Sequence, residues 1–103
     1  MFKIIKKQIR PNTSVDFYRP TNPELLEWLS TNYFQTGKMW PPEIVISDDG
    51  LEMSATVYFL SEDVAREWKY NPYVVEHLHT PQEAYCAENG IELLPTITIG
   101  EQM

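Results

Sequence analysis

A chain of 103 residues with a formal charge of −7 has room for one domain and one modest core. Its acidity argues against nucleic acid and anionic membranes as partners, whose phosphates repel it. Hydrophobic content of 43% describes a globular chain, and a single cysteine excludes an intrachain disulfide and leaves no need for an oxidising compartment.

Phe2 to Arg10 reads as strand one, carrying β-branched Ile4, Ile5 and Ile9. Ile4 and Ile5 face opposite ways, as expected of a sheet covered on both faces. Lys3, Lys6, Lys7 and Arg10 are four of the eight basic residues. They read either as lysines guarding a solvated strand edge or as an attraction for a small anionic ligand or an acidic partner face. This opening has the charge of a signal peptide but neither its apolar segment nor its small-residue cleavage site, so it reads as cytoplasmic. No apolar run approaches the ~20 residues of a transmembrane helix.

Pro11–Ser14 ends the strand, and Val15 to Arg19 reads as a short extended piece. A helix over 23–36 follows. It starts either on a Thr21–Glu24 capping box or on Asn22 with Pro23 in the first position, and it stops at Gly37. Leu25, Trp28, Leu29 and Tyr33 form its apolar stripe. Met39-Trp40-Pro41-Pro42 is a connector that neither helix nor strand accommodates. Strand two covers 43–48, and Asp48-Asp49-Gly50 is the strongest turn signal in the chain.

The most informative stretch is Leu51 to Pro72. Leu51, Met53, Ala55, Val57 and Phe59 alternate with Glu52, Ser54, Thr56 and Tyr58, the period of a strand over 51–60 with one buried face. The period then becomes helical. Ser61 caps, Glu62 and Asp63 favour the first turn, and Val64, Ala65 and Trp68 share a face over 62–70. Asn71-Pro72 breaks this helix, and Tyr73 to His79 forms a helical turn or two. Thr80 caps a last helix over 81–89, with Pro81 first and Glu83 closing the box. Strand four covers 91–99, with Pro95 at an edge or bulge. The order β-α-β-β-α-β packs most economically as a single α+β domain, a four-stranded antiparallel sheet with helices on one face. The other sheet face stays partly apolar and calls for a partner, so a homodimer is expected.

This pattern, with strand, Ser61-Glu62-Asp63, Val64 to Trp68 and Asn71-Pro72-Tyr73, resembles the dimeric α+β barrel superfamily of ferredoxin-like topology. The nearest likeness is to its antibiotic-biosynthesis-monooxygenase-like members and to small uncharacterised members from marine phages and metagenomes. The resemblance implies subunits paired sheet to sheet and a pocket between sheet and helices. It implies no single chemistry: the superfamily holds cofactor-free monooxygenases, haem-degrading enzymes, lactone isomerases and members without known activity. Haem-degrading members use an asparagine on strand one, a tryptophan on strand three and a histidine on the second helix. Here strand one lacks the asparagine and strand three offers Tyr58 in place of the tryptophan, so no cofactor is implied.

Of the candidate residues, His77 and His79 are the only histidines. On a helix, residues two apart diverge by about 200°, which disfavours a shared metal, and no metal is expected. One of the two histidines facing the pocket, or Tyr58, is the candidate for acid–base chemistry, with His77 and Tyr58 put first. A ligand would sit between the sheet's helix face and the helices. Met53, Ala55, Val57 and Phe59 would lie below it, Trp28, Tyr33 and Trp68 above, and a lysine of strand one at its polar head. The small Ala55 marks the gap. The competing possibility is that Trp28 and Trp68 meet over Ala55 and fill it. Aromatics on a buried helix face are ordinarily core, and Cys86 reads as a buried small residue. Two functions stay open: a protein that binds a hydrophobic or aromatic molecule, including a cofactor-free monooxygenase- or isomerase-like enzyme, and a non-catalytic homodimeric accessory protein with a filled core. A cavity above roughly 300 Å³ favours the first.

Overall fold

Alternating apolar residues build the sheet. In the computed structural model, which describes residues 2–12 and 14–100 (97–100 by backbone alone), β1 (Phe2–Ile9) pairs antiparallel with β3 (Glu52–Phe59) along its whole length. Phe2 lies opposite Phe59 and Ile9 opposite Glu52. The strand β2 (Glu43–Ile46) flanks β3 antiparallel on the far side. The other side of β1 takes the last strand in two pieces, β4 (Glu92–Leu93) and β5 (Ile97–Gly100), both antiparallel to it. The sheet thus has four strand positions in the order β2-β3-β1-β4, with β5 continuing along β1. This α+β architecture is compatible with a ferredoxin-like fold.

Two strand expectations need correction. The expected single strand over 91–99 is interrupted, because Pro95 has no N–H to give to β1. Gln8 opposes Leu93 and Ile5 opposes Ile97, so the three residues 94–96 span what two residues, Lys6 and Lys7, span on β1. That extra residue is a bulge. The basic cluster also does not guard an edge, since β1 is a central strand. Arg10 instead lies over the Phe17 ring and donates to the carbonyls of Gly50 and Val15. Lys7 reaches Glu52 at 3.7 Å.

The β2–β3 hairpin closes through Ser47. Its N–H donates to the Glu52 carbonyl, and the Gly50 N–H donates back to the Ser47 carbonyl, both at 2.9 Å. Within this turn only Gly50 takes a positive φ, 72°. The connection is therefore a turn followed by one left-handed residue, not a two-residue turn with both centres left-handed. Asp49 supports it by accepting from the Ser47 hydroxyl and the Leu51 N–H.

Helix α1 (Pro23–Leu29) starts on Asn22, whose side chain accepts from the Glu24 N–H. It continues as a π-helical turn over Ser30–Phe34. Helix α2 (Glu62–Tyr70) is capped by the Ser61 hydroxyl, which accepts from Val64 N–H. Helices α3 (Pro72–Val74) and α4 (Thr80–Asn89) are joined by a second π-helical turn, Val75–His79. The expected cap at Thr80 does not form: Thr80 has helical dihedrals and its N–H bonds back to the Val75 carbonyl. Pro81 sits just after this widened turn, where the shifted bonding register accommodates a residue without an N–H.

The core lies between helices and sheet at the Phe59 end. It comprises Ile4, Leu25, Leu29, Tyr33, Met39, Phe59, Ala65, Trp68 and Val74. Met39 reaches it because Lys38 and Trp40 pair briefly with the end of β3. The segment 15–19 is not a strand but is held against β1 by Gln8, whose amide bonds both the N–H and the carbonyl of Tyr18. No helix among the described residues is long and apolar enough to cross a membrane.

Candidate functional site

Register decides which lysine is interior. Ile4 is buried on the helix face of β1, so Phe2, Lys6 and Gln8 share that face. Lys6 lies opposite Ala55. From the other side, α4 and the π turn before it present His79, Gln82, Glu83 and Cys86 at the spacing of one helical stripe. Where an apolar stripe would normally meet an apolar strand, polar groups face each other.

They are joined. The Lys6 Nζ lies 2.7 Å from His79 Nδ1, donates to Gln82 Oε1 at 3.1 Å and sits 5.8 Å from the centre of the Trp68 ring. His79 meets the Trp68 ring edge-on at 5.1 Å. Beyond them, Gln8 is fixed by Tyr18 and receives a weak thiol contact from Cys86. A cleft of about 260 Å³ opens over this cluster. Its floor is Ile4, Trp68 and Leu93, and Lys69, Glu83 and Thr96 stand at its rim. Leu93 and Thr96 flank the Pro95 bulge, so the break in the last strand shapes one wall.

The environment perturbs the ionisable groups strongly. Burial lowers the Lys6 ammonium to about 8; Glu83 opposes this and Lys69 adds to it. Burial, then the charge of Lys6, lowers His79 to about 4. The Lys69 carbonyl favours a charged His79 ring, but Nε2 has no partner of hydrogen-bond geometry among the described residues. An ammonium has no lone pair, so the Nδ1 facing it accepts and the proton resides on Nε2. The Trp68 Nε1–H is likewise unpartnered, on a residue only 3% exposed. Burial raises the Cys86 thiol, against the pull of Lys6. The result is an amine that loses its proton near pH 8, a neutral imidazole in contact with it, and a buried indole N–H without a partner among the described residues.

The residues expected to line a pocket are distributed otherwise. Met53, Phe59, Tyr33 and Trp68 are buried, and Val57 and Trp28 pack against the core. Trp28 stacks on Tyr73 at 4.4 Å, whereas Trp68 packs on Phe59 at 5.3 Å, so the two tryptophans do not meet over Ala55. Ala55 is half-buried between Lys6 on β1 and Ile44 on β2. Of the seven residues, only Trp68 lines the cleft. Tyr58 lies on the opposite sheet face, across from Lys3. His77 packs on Tyr73 at 4.3 Å, away from Lys6. The Tyr33 hydroxyl donates to Glu67 and is pushed up to about 12 by burial and that carboxylate.

Lys6, His79 and Gln82 were not singled out together by sequence reasoning. The available signal was parity: if Ile4 faces the helices, Lys6 and Gln8 do too.

A second, more open cleft of about 630 Å³ lies beside Arg10, Tyr18, Arg19 and Tyr85. Arg10 there is committed to backbone carbonyls. Comparisons with protein-family models, curated proteins and solved structures found no match.

Proposed function

We propose that the chain is a small-molecule-binding protein of ferredoxin-like, dimeric α+β-barrel type, taking a compact apolar or aromatic molecule with a polar head in the cleft over Lys6. The supporting observation is the Lys6–His79 contact at 2.7 Å over an apolar floor. A half-buried lysine bonded only to neutral groups is costly unless its environment serves something else. At about 260 Å³ the cleft falls short of the roughly 300 Å³ set as the mark of a ligand cavity and has room for no more than one ring with short substituents. The chemistry around Lys6, and not the volume, supports this reading. Lys6 in its neutral form also supplies a base, which keeps cofactor-free isomerase-type proton transfer within the site's chemistry.

The homodimer would form through the sheet face opposite the helices. Ile5 and Ile9 of β1 lie on that face, and Val45 of β2 is 56% exposed. A specific interface needs roughly 1,000 Å² or more in total. Light scattering should give a dimer that Val45→Glu weakens; a monomer at high micromolar concentration removes this part of the reading.

For the ligand, titration with benzoate followed by amide and indole NMR should shift Trp68 Nε1–H and Thr96 first. Thr96→Trp at the rim should block those shifts. Shifts scattered over the surface, and unaffected by Thr96→Trp, would refute the site. The filled-core accessory protein remains the second reading, favoured by Trp28 and Tyr73 stacking and by Ala55 lining no part of the cleft. It predicts no benzoate binding.

A further inference from the structure

Resting on that reading of the cleft, we infer that Lys6 forms an imine with an aldehyde or ketone carried on a compact apolar body. A structural lysine drawn into a protein interior ordinarily pairs with a carboxylate. Lys6 makes no ion pair among the described residues; its hydrogen-bonding partners are an imidazole and a carboxamide. That surround is what an amine nucleophile needs, since it favours the form with a free lone pair.

The groups facing Lys6 are His79, Glu83 and Cys86 from the π turn and α4, and Lys69 from α2. Glu83, the one carboxylate among them, is exposed at the rim and not hydrogen-bonded to Nζ. With the ammonium lowered to about 8, the neutral amine at pH 7 is more abundant than in an ordinary lysine by roughly two orders of magnitude.

The step balances without an oxidant or reductant. The Nζ lone pair forms a bond to the carbonyl carbon as the carbonyl π pair moves to oxygen. One N–H proton passes to His79 Nδ1, and the oxygen takes a proton from water to give a carbinolamine. The nitrogen lone pair then expels that hydroxyl, which leaves as water with the proton returned by His79. Loss of the remaining N–H proton to the hydroxide left by the water that protonated the oxygen gives the neutral imine and restores that water. One amine and one carbonyl thus yield one imine and one water. The Trp68 ring gives the apolar body that carries the carbonyl a floor to rest on.

The test uses the intact chain with benzaldehyde and cyanoborohydride, which reduces an imine to a stable secondary amine, followed by peptide mapping. At pH 7 the adduct should fall on Lys6 at least tenfold over Lys3, Lys7, Lys38 or Lys69, and its rate should rise with pH to a plateau above about 8. Lys6→Arg should abolish the dominant adduct. Should that variant fail to fold, Thr96→Trp, which leaves every lysine in place, should lower labelling at Lys6 alone. Even labelling of all five lysines overturns the inference. Benzoate binding in the cleft with no preference for Lys6 overturns the imine and leaves the binding site standing. Absence of both removes the binding site as well.

Discussion

Replacing Lys6 by Met tests whether the interior ammonium is as strained as its surroundings imply. Met keeps the length of the stem and removes the charge. In the native protein Lys6 loses its proton at about 8, against an ordinary value of 10.5. Below pH 8 both states are protonated and the native state bears the whole penalty, roughly 3 kcal/mol from the size of the shift. Between about 8 and 10.5 the unfolded chain binds more protons than the native one, so stability rises with pH across that window; above it the penalty is gone. From pH 7 to pH 9 the recovery amounts to roughly 1 kcal/mol. Cys86, Tyr18 and Tyr33, all raised by burial, pull the other way as pH climbs, because the native state resists their ionisation. Lys6 is not among the causes of the Tyr18 and Tyr33 shifts, which cancel between wild type and Lys6→Met. Cys86 loses the pull of Lys6 in the variant and ionises still later there, so the lysine dominates the difference. Urea denaturation at pH 7, 8 and 9 should show the wild-type midpoint gaining on the variant's by roughly 0.3–1 M. A difference that stays flat, or falls, would refute the claim that Lys6 is held charged against burial.

Three further outcomes follow from the same geometry. His79 is lowered to about 4, so its ring resonance should not titrate between pH 5 and 8, and its contribution to stability should be lost as pH falls from about 6.5 towards 4; an NMR midpoint above 6 would contradict this. Gly50→Ala places a side chain at φ 72° in the β2–β3 turn and should cost ~1–2 kcal/mol in urea denaturation, whereas a neutral result would show that the turn relaxes. Cys86, buried and with its thiol raised, should resist iodoacetamide in the native protein and react on unfolding. Rapid native alkylation would mean that α4 opens readily from the sheet.

Local chemistry alone determined much of the architecture. The alternation from Leu51 to Phe59 identifies a one-sided strand, Ser61 a helix start that α2 uses, and Asp48-Asp49-Gly50 the hairpin between β2 and β3. These features act over a few residues, so the sequence carries them in full. The Thr80-Pro81-Gln82-Glu83 signal was equally good locally and did not cap a helix, because α3 and the π turn already supplied helical backbone ahead of it. What only the tertiary structure decided is the pairing of Lys6 with His79, 73 residues apart. It needed β1 in the middle of the sheet rather than at its edge. It needed β1 to expose its even-numbered face to α4, and the π turn to set His79 in line with Gln82 and Glu83. Each of those is a choice of partner or phase between distant elements, and a one-residue change of register on β1 would have turned Lys6 to the opposite face.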